Sequence, residues 1–183
     1  MADFFRFRVQ LVGAKPPIFR QFLIDAGATF LDLHDAIQRA CGWEDAHLFL
    51  FREPKGKTIA GLPDDGGFGD PDAPPEPDAE MVKLASWFSI TKNKRCVYEY
   101  DFGDGWQHDV TLETIEHHDE KMKRRLLDGA RAFPPEDCGG LGGYENCVEV
   151  VNTGIDPEGL GEWLGRWKPE NFNLVATKRR FDK

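Results

Sequence analysis

The chain has 183 residues, 23 Lys plus Arg against 32 Asp plus Glu, and a formal net charge of -9. With 40% apolar residues and 19 glycines it has enough material for one ordinary core, which excludes a disordered chain. No run of about 18 apolar residues occurs, so no membrane span is expected.

Phe4 to Val12 alternates Phe5, Phe7, Val9 and Leu11 with Arg6, Arg8 and Gln10, the period of a half-buried strand. Charge within this first stretch argues against a secretory leader. Ile18 to Ile24 follows as a second strand across Gly13–Pro17, making an antiparallel hairpin. Thr29 then caps a helix, with Asp32 completing a weak capping box and Gly42 at its end. Phe30, Leu33, His34, Ile37 and Cys41 share one stripe, which makes His34 a core histidine with a satisfied ring. His47 to Glu53 reads as a third strand and Lys57 to Ala60 as a fourth. Gly56-Lys57-Thr58 resembles the end of a phosphate loop, but Phe51 stands where its first glycine belongs, and nucleotide binding by that device is excluded.

Gly61 to Glu80 holds seven acids, five prolines, four glycines and no Lys or Arg. Without those seven charges the remaining chain carries only -9 + 7 = -2. Such a segment buries too little surface to offset its ordering entropy, so a mobile loop is expected. Asp64, Asp65, Asp70 and Asp72 lack the order a calcium loop needs. Val82 to Ile90 is a short helix or turn. Cys96 to Phe102 and Trp106 to Glu113 form the clearest hairpin, with Asp104-Gly105 as a favoured two-residue turn. Beyond it, Glu116 to Leu127 reads as a charged surface excursion, and Glu145 to Val151 and Glu158 to Trp167 as helices.

The four cysteines, Cys41, Cys96, Cys138 and Cys147, form no C-x-x-C pair, so they read as reduced packing thiols in a cytoplasmic protein. Lys121, Lys123, Arg124 and Arg125 read as a solvated helix face. Lys178, Arg179, Arg180 and Lys183 read as a solvated tail, or as a nucleic-acid patch through Lys178, Arg179 and Arg180. A pI near 5 argues against strong non-specific DNA binding.

The turn at Asp104-Gly105 has a chemical consequence. It sets Asp101 directly across from His108 on one face, close enough to share a metal ion or a hydrogen bond. A second cluster, Pro134-Pro135-Glu136-Asp137-Cys138-Gly139-Gly140, sets two acids on a glycine-rich turn. Glu136 and Asp137 oppose a thiolate at Cys138, and only Ser86 and Ser89 exist as serines, outside any nucleophile motif. As the alternative to a binding module, a metal-dependent hydrolase would hold a divalent ion on Asp101, His108 and Asp137, with Glu136 as general base. The first reading is a binding or interaction module for a protein or nucleic-acid partner, with association with mobile elements as its loosest form; next to it stands a purely structural role in which Asp101 and Asp104 satisfy backbone N–H groups around the hairpin.

Several strings together resemble the plasmid pRiA4b open-reading-frame-three-like family. They are Pro17-Ile18-Phe19-Arg20, Leu33-His34-Asp35, Gly42-Trp43 with His47-Leu48, Tyr98 to His108 (YEYDFGDGWQH), and Pro134 to Gly140 (PPEDCGG) with Gly143-Tyr144. The resemblance runs from about residue 3 to 172, with Phe19 where the family usually has Trp. It implies one α+β domain over 1–183, found in bacteria and archaea, without an established activity. Some relatives are passengers of mobile elements, and a resolvase role is not carried over because no recombinase serine motif is present. The expected architecture is a mixed or antiparallel sheet with a β-grasp-like strand-strand-helix-strand start and a later hairpin.

Overall fold

The computed structural model describes residues 2–62 and 76–183. Twelve elements follow in order: β1 (Ala2–Leu11), β2 (Phe19–Asp25), α1 (Phe30–Cys41), β3 (Phe49–Arg52), β4 (Thr58–Gly61), α2 (Leu84–Trp87), β5 (Arg95–Tyr100), β6 (Trp106–His118), β7 (Arg124–Ala130), α3 (Gly140–Thr153), α4 (Leu160–Leu164) and α5 (Leu174–Phe181). The seven strands make one sheet in the order β4-β3-β5-β6-β1-β2-β7, antiparallel at every pairing. The α+β class holds, and so does the opening order of strand, strand, helix and strand. The third strand, however, leaves the first hairpin and pairs with β4 and β5.

The alternation in β1 has the consequence its pattern predicts. Phe5, Phe7, Val9 and Leu11 are buried, whereas Arg6, Arg8 and Gln10 are partly exposed on the opposite face. That wet face is laced with polar contacts: Arg6 donates to Gln21 at 2.9 Å and Glu116 at 3.2 Å, and Gln21 donates to Glu113 at 2.6 Å. The covered face packs under α1 through Phe30, Leu33, Ala36 and Ile37. The α1 capping box forms as expected, with Thr29 N to Asp32 Oδ2 at 2.8 Å and Asp32 N to Thr29 Oγ1 at 3.2 Å. Gly42 closes the helix in the left-handed region at φ 88°. His34 is the satisfied core histidine, bonded to the Tyr98 hydroxyl at 2.8 Å and Asp45 at 2.7 Å.

Four expectations are corrected. The hairpin β5–β6 does not turn on Asp104-Gly105: Tyr100 opposes Trp106 and Tyr98 opposes His108 across a loop of 101–105. Asp101 takes left-handed backbone at φ 55°, and its Oδ1 accepts from Gly103 N at 3.0 Å and Asp104 N at 3.3 Å. That local carboxylate turn replaces the two-residue turn and moves the register by three. The excursion from Glu116 is ordered strand: β6 runs to His118, and Arg124 and Arg125 belong to the edge strand β7, where charge discourages further pairing. The basic tail is the last turn of α5, whose N-cap Asn173 accepts from Ala176 N at 3.0 Å and whose Phe181 packs on Phe22 at 5.2 Å. Finally, the ends of the acidic segment are packed. Gly61 bonds with Pro77 and Ala79, and Ala79 is fully buried. The mobile loop and the calcium reading fall mostly on 63–75, outside the described residues.

The glycines that open α3 are not interchangeable. A Cβ on Gly143 would lie 1.6 Å from the Cys138 carbonyl oxygen, whereas one on Gly142 meets nothing within 4 Å. Gly143→Ala is expected to destabilise by about 2–3 kcal/mol. Gly142→Ala, one residue earlier, should stabilise by about 0.5–1 kcal/mol. Urea denaturation of the two variants checks both signs.

Candidate metal centre

Three loops meet at one end of the sheet: 43–48 after α1, 101–105 after β5, and 133–139 before α3. Aromatic packing supplies their floor. Trp43 is buried, stacks on Tyr100 with centroids 5.1 Å apart, and meets Phe133 and His108 edge-on. Its indole N–H donates to Pro134 O at 2.9 Å. The Tyr100 hydroxyl accepts from Ala46 N at 2.9 Å and donates to Glu136, and the other Glu136 oxygen accepts from Glu44 N at 2.7 Å. Burial, with the Glu136 hydrogen bond, pushes the Tyr100 phenol well above its ordinary range, so it stays a donor. Asp104 Oδ2 accepts from Gly139 N at 3.0 Å, which joins the hairpin loop to the glycine turn. Asp101 and Asp104 therefore do hold backbone N–H groups around the hairpin, as the structural reading requires.

On this frame His47 stands between two aspartates. Its Nε2 lies 2.7 Å from Asp137 Oδ1 and 3.7 Å from Asp101 Oδ2. One ligand atom from each of the three side chains falls within 4.8 Å of the others. Asp101 is buried, His47 half-buried and Asp137 exposed. Desolvation pulls the His47 pKa down, but the hydrogen bond to Asp137 and the charges of Asp101, Asp137 and Glu136 outweigh it, and the net shift is upward. Asp45, Asp101 and Asp137 all adopt positive φ, at 58°, 55° and 60°; Arg131 is the fourth such non-glycine among the described residues. Left-handed backbone on non-glycine residues is uncommon and concentrates where neighbours over-determine the chain.

The expected ligand set is thus divided. Asp101 and Asp137 come together, and the imidazole beside them is His47. His108 is fully buried on the core face, with Nδ1 only 3.4 Å from Tyr98 O and Nε2 without a partner among the described residues. Its opposition to Asp101 was a product of the wrong register. Glu136 adjoins the cluster, yet both oxygens already accept hydrogen bonds, which gives it a positioning role. Cys138 is held as a thiol, its pKa pushed up to about 12 by burial first of all. Of the basic residues, Arg180 donates to Arg39 O at 3.1 Å, while Lys178 and Arg179 lie at the C-terminal end of α5. His47 is the member of the three-residue cluster that the sequence reading does not single out. It stands in the Gly42-Trp43 to His47-Leu48 string, five residues past the predicted helix end at Gly42.

The model of the plasmid pRiA4b ORF-3-like protein family matches residues 3–176. The chain belongs to this family. It is 33% identical over 152 residues to the uncharacterized protein y4hQ of Sinorhizobium fredii, covering 82% of this chain and 74% of that one. A crystal structure of a protein of unknown function, MM3350 from Methanosarcina mazei Go1, superposes with a TM-score of 0.83 at 35% identity, covering 96% of each chain. Neither relative carries an assigned activity. No helix among the described residues is long and apolar enough to cross a membrane.

His108 yields a pH prediction. Burial lowers its pKa to about 3, against an ordinary 6.5. Below pH 6.5 the unfolded chain takes up a proton there that the folded chain refuses. Stability is therefore full above that pH and falls as pH drops towards 3, by at most about 1.4 kcal/mol per unit. His34, also lowered by burial, adds slope of the same sign. His108→Phe removes its share, so urea midpoints measured from about pH 6 to 4 should fall less steeply than in the wild type.

Proposed function

We propose that this protein is a binding module centred on a divalent-metal site formed by His47, Asp101 and Asp137. The observation that carries the reading is the convergence of one imidazole nitrogen and two carboxylate oxygens within 4.8 Å. The donor set favours the proposal: imidazole with carboxylates suits Zn or Mn better than a soft thiolate cage would. Asp101 supports it further. Its Oδ1 is fixed by two loop N–H groups, leaving Oδ2 turned towards His47, the kind of outer-shell orientation that metal ligands use. Three protein ligands leave coordination positions for water or an anionic partner, so hydrolytic chemistry on a metal-bound water is the reaction class such a site could support. Glu136 acts here by holding the 43–48 and 133–139 loops together. Charge on the α5 basic residues contributes less to the reading, because Arg180 is engaged at the end of α1.

The test is elemental analysis of protein purified without a metal-affinity tag, followed by calorimetric titration with Zn and with Mn. About one equivalent is expected, lost in His47→Ala and in Asp137→Asn and retained in His108→Phe. Protein that is folded, metal-free and silent in both titrations, or metal retained by His47→Ala, would overturn the reading.

A further inference from the structure

Arg20 is 3% exposed and is the one buried Lys or Arg among the described residues. Its guanidinium lies between two aromatic faces, 4.8 Å from the Phe133 centroid and 4.1 Å from that of Phe172. Its bonded partners are backbone carbonyls: Nε to Ala40 O at 3.0 Å, and Nη1 to Phe19 O at 2.7 Å and Ala130 O at 3.1 Å. None is a carboxylate, and Nη2 makes none of these bonds. A buried charge without a counter-ion is expensive, and the Nη2 hydrogens, which none of these carbonyls takes, are the donors left for an oxyanion.

Arg20 also lines a cavity of about 260 Å³. Arg180 lines it as well, its guanidinium lying over Gly42, where a Cβ would come within 3.2 Å of Nη2. Asn173, the N-cap of α5, is on the same wall. Trp43, Phe133 and Trp167 supply flat apolar walls. Glu136 is the opposing charge at the rim, and its two oxygens are occupied by Tyr100 and Glu44 N rather than by Arg20. Burial lowers the Arg20 pKa to about 10, which leaves it charged at neutral pH.

We propose that this cavity binds a small organic oxyanion. The ligand is a carboxylate or phosphate monoester on a flat apolar body, with its head on Arg20 and Arg180 and its body against Trp43 and Trp167. His47, Asp101 and Asp137 do not line the cavity, so the site stands apart from the metal proposal. The alternative is that Arg20 and Arg180 only cap the C-terminal carbonyls of α1, Ala40 O and Arg39 O.

The test titrates the full chain with benzoate, phenyl phosphate, inorganic phosphate and neutral benzyl alcohol, read by calorimetry and by fluorescence of the tryptophans. Saturable binding of benzoate or phenyl phosphate is expected, and which of the two binds tells a carboxylate site from a phosphate site. Arg180→Met should weaken it at least about tenfold, and so should Arg20→Lys, which keeps the charge and loses the Nη2 donors. His47→Ala should leave it unchanged. Arg180 is exposed, so its variant keeps the test decisive if Arg20→Lys fails to fold. No binding of either aromatic anion, equal binding of benzyl alcohol, binding of inorganic phosphate alone, or affinity unaltered in Arg180→Met overturns the proposal.

Discussion

Asp101 ties the β5–β6 loop to the strand register and to the cluster around His47. Its left-handed backbone ends β5, and its carboxylate gathers the N–H groups of Gly103 and Asp104 into a turn. That turn puts Tyr98 opposite His108 and Tyr100 opposite Trp106, so four large rings share the covered face. A slip of one residue would turn the rings of one of the two strands to the wet side. The placement of Tyr100 then carries the surface above it. Its ring supports Trp43, and its hydroxyl joins the Ala46 N–H to Glu136. The same carboxylate that shapes the loop turns its second oxygen towards His47. One side chain thus links strand register, core composition and the electrostatics of the cluster.

This dependence also explains what could be read from the sequence. The first hairpin and α1 were legible because each rests on local signals: strict alternation in β1, and Thr29, Asp32 and Gly42 at the helix ends. The β5–β6 register was not legible from Asp104-Gly105 alone, because a favoured turn dipeptide competes with a carboxylate that can build its own turn. The core pattern was the better guide. Tyr98, Tyr100, Trp106, His108 and Val110 fall on one face in the observed register and not in the one that an Asp104-Gly105 turn would set. Asp101 and Asp137, which residue type and their specific strings single out, do lie together. His47 does not stand out in the sequence because the Asp104-Gly105 register offers His108 as the imidazole beside Asp101. α5 was hidden by its basic residues, which suit the negative end of a helix as well as they suit a tail.

The segment from Phe133 to Gly139 joins the two proposed sites. Phe133, Pro134, Pro135 and Glu136 line the cavity, and the next residue, Asp137, faces His47. Such a strap can position ligands on both sides only if it is stiff. Its own backbone is costly, since Asp137 sits at φ 60°, a conformation worth of order 1–3 kcal/mol for a non-glycine residue. The neighbours offset that cost from several directions. Trp43 donates to Pro134 O, Trp167 to Phe133 O, Tyr100 and Glu44 N to Glu136, and Gly139 N to Asp104. Two of these donors are indole N–H groups on large buried or half-buried rings, which cannot swing away without opening the core. The strap therefore behaves as part of the scaffold rather than as a loop. The polar residues that the sequence sets beside two prolines and a run of glycines are held by packing laid down ninety residues earlier, in Trp43 and the turn that follows it.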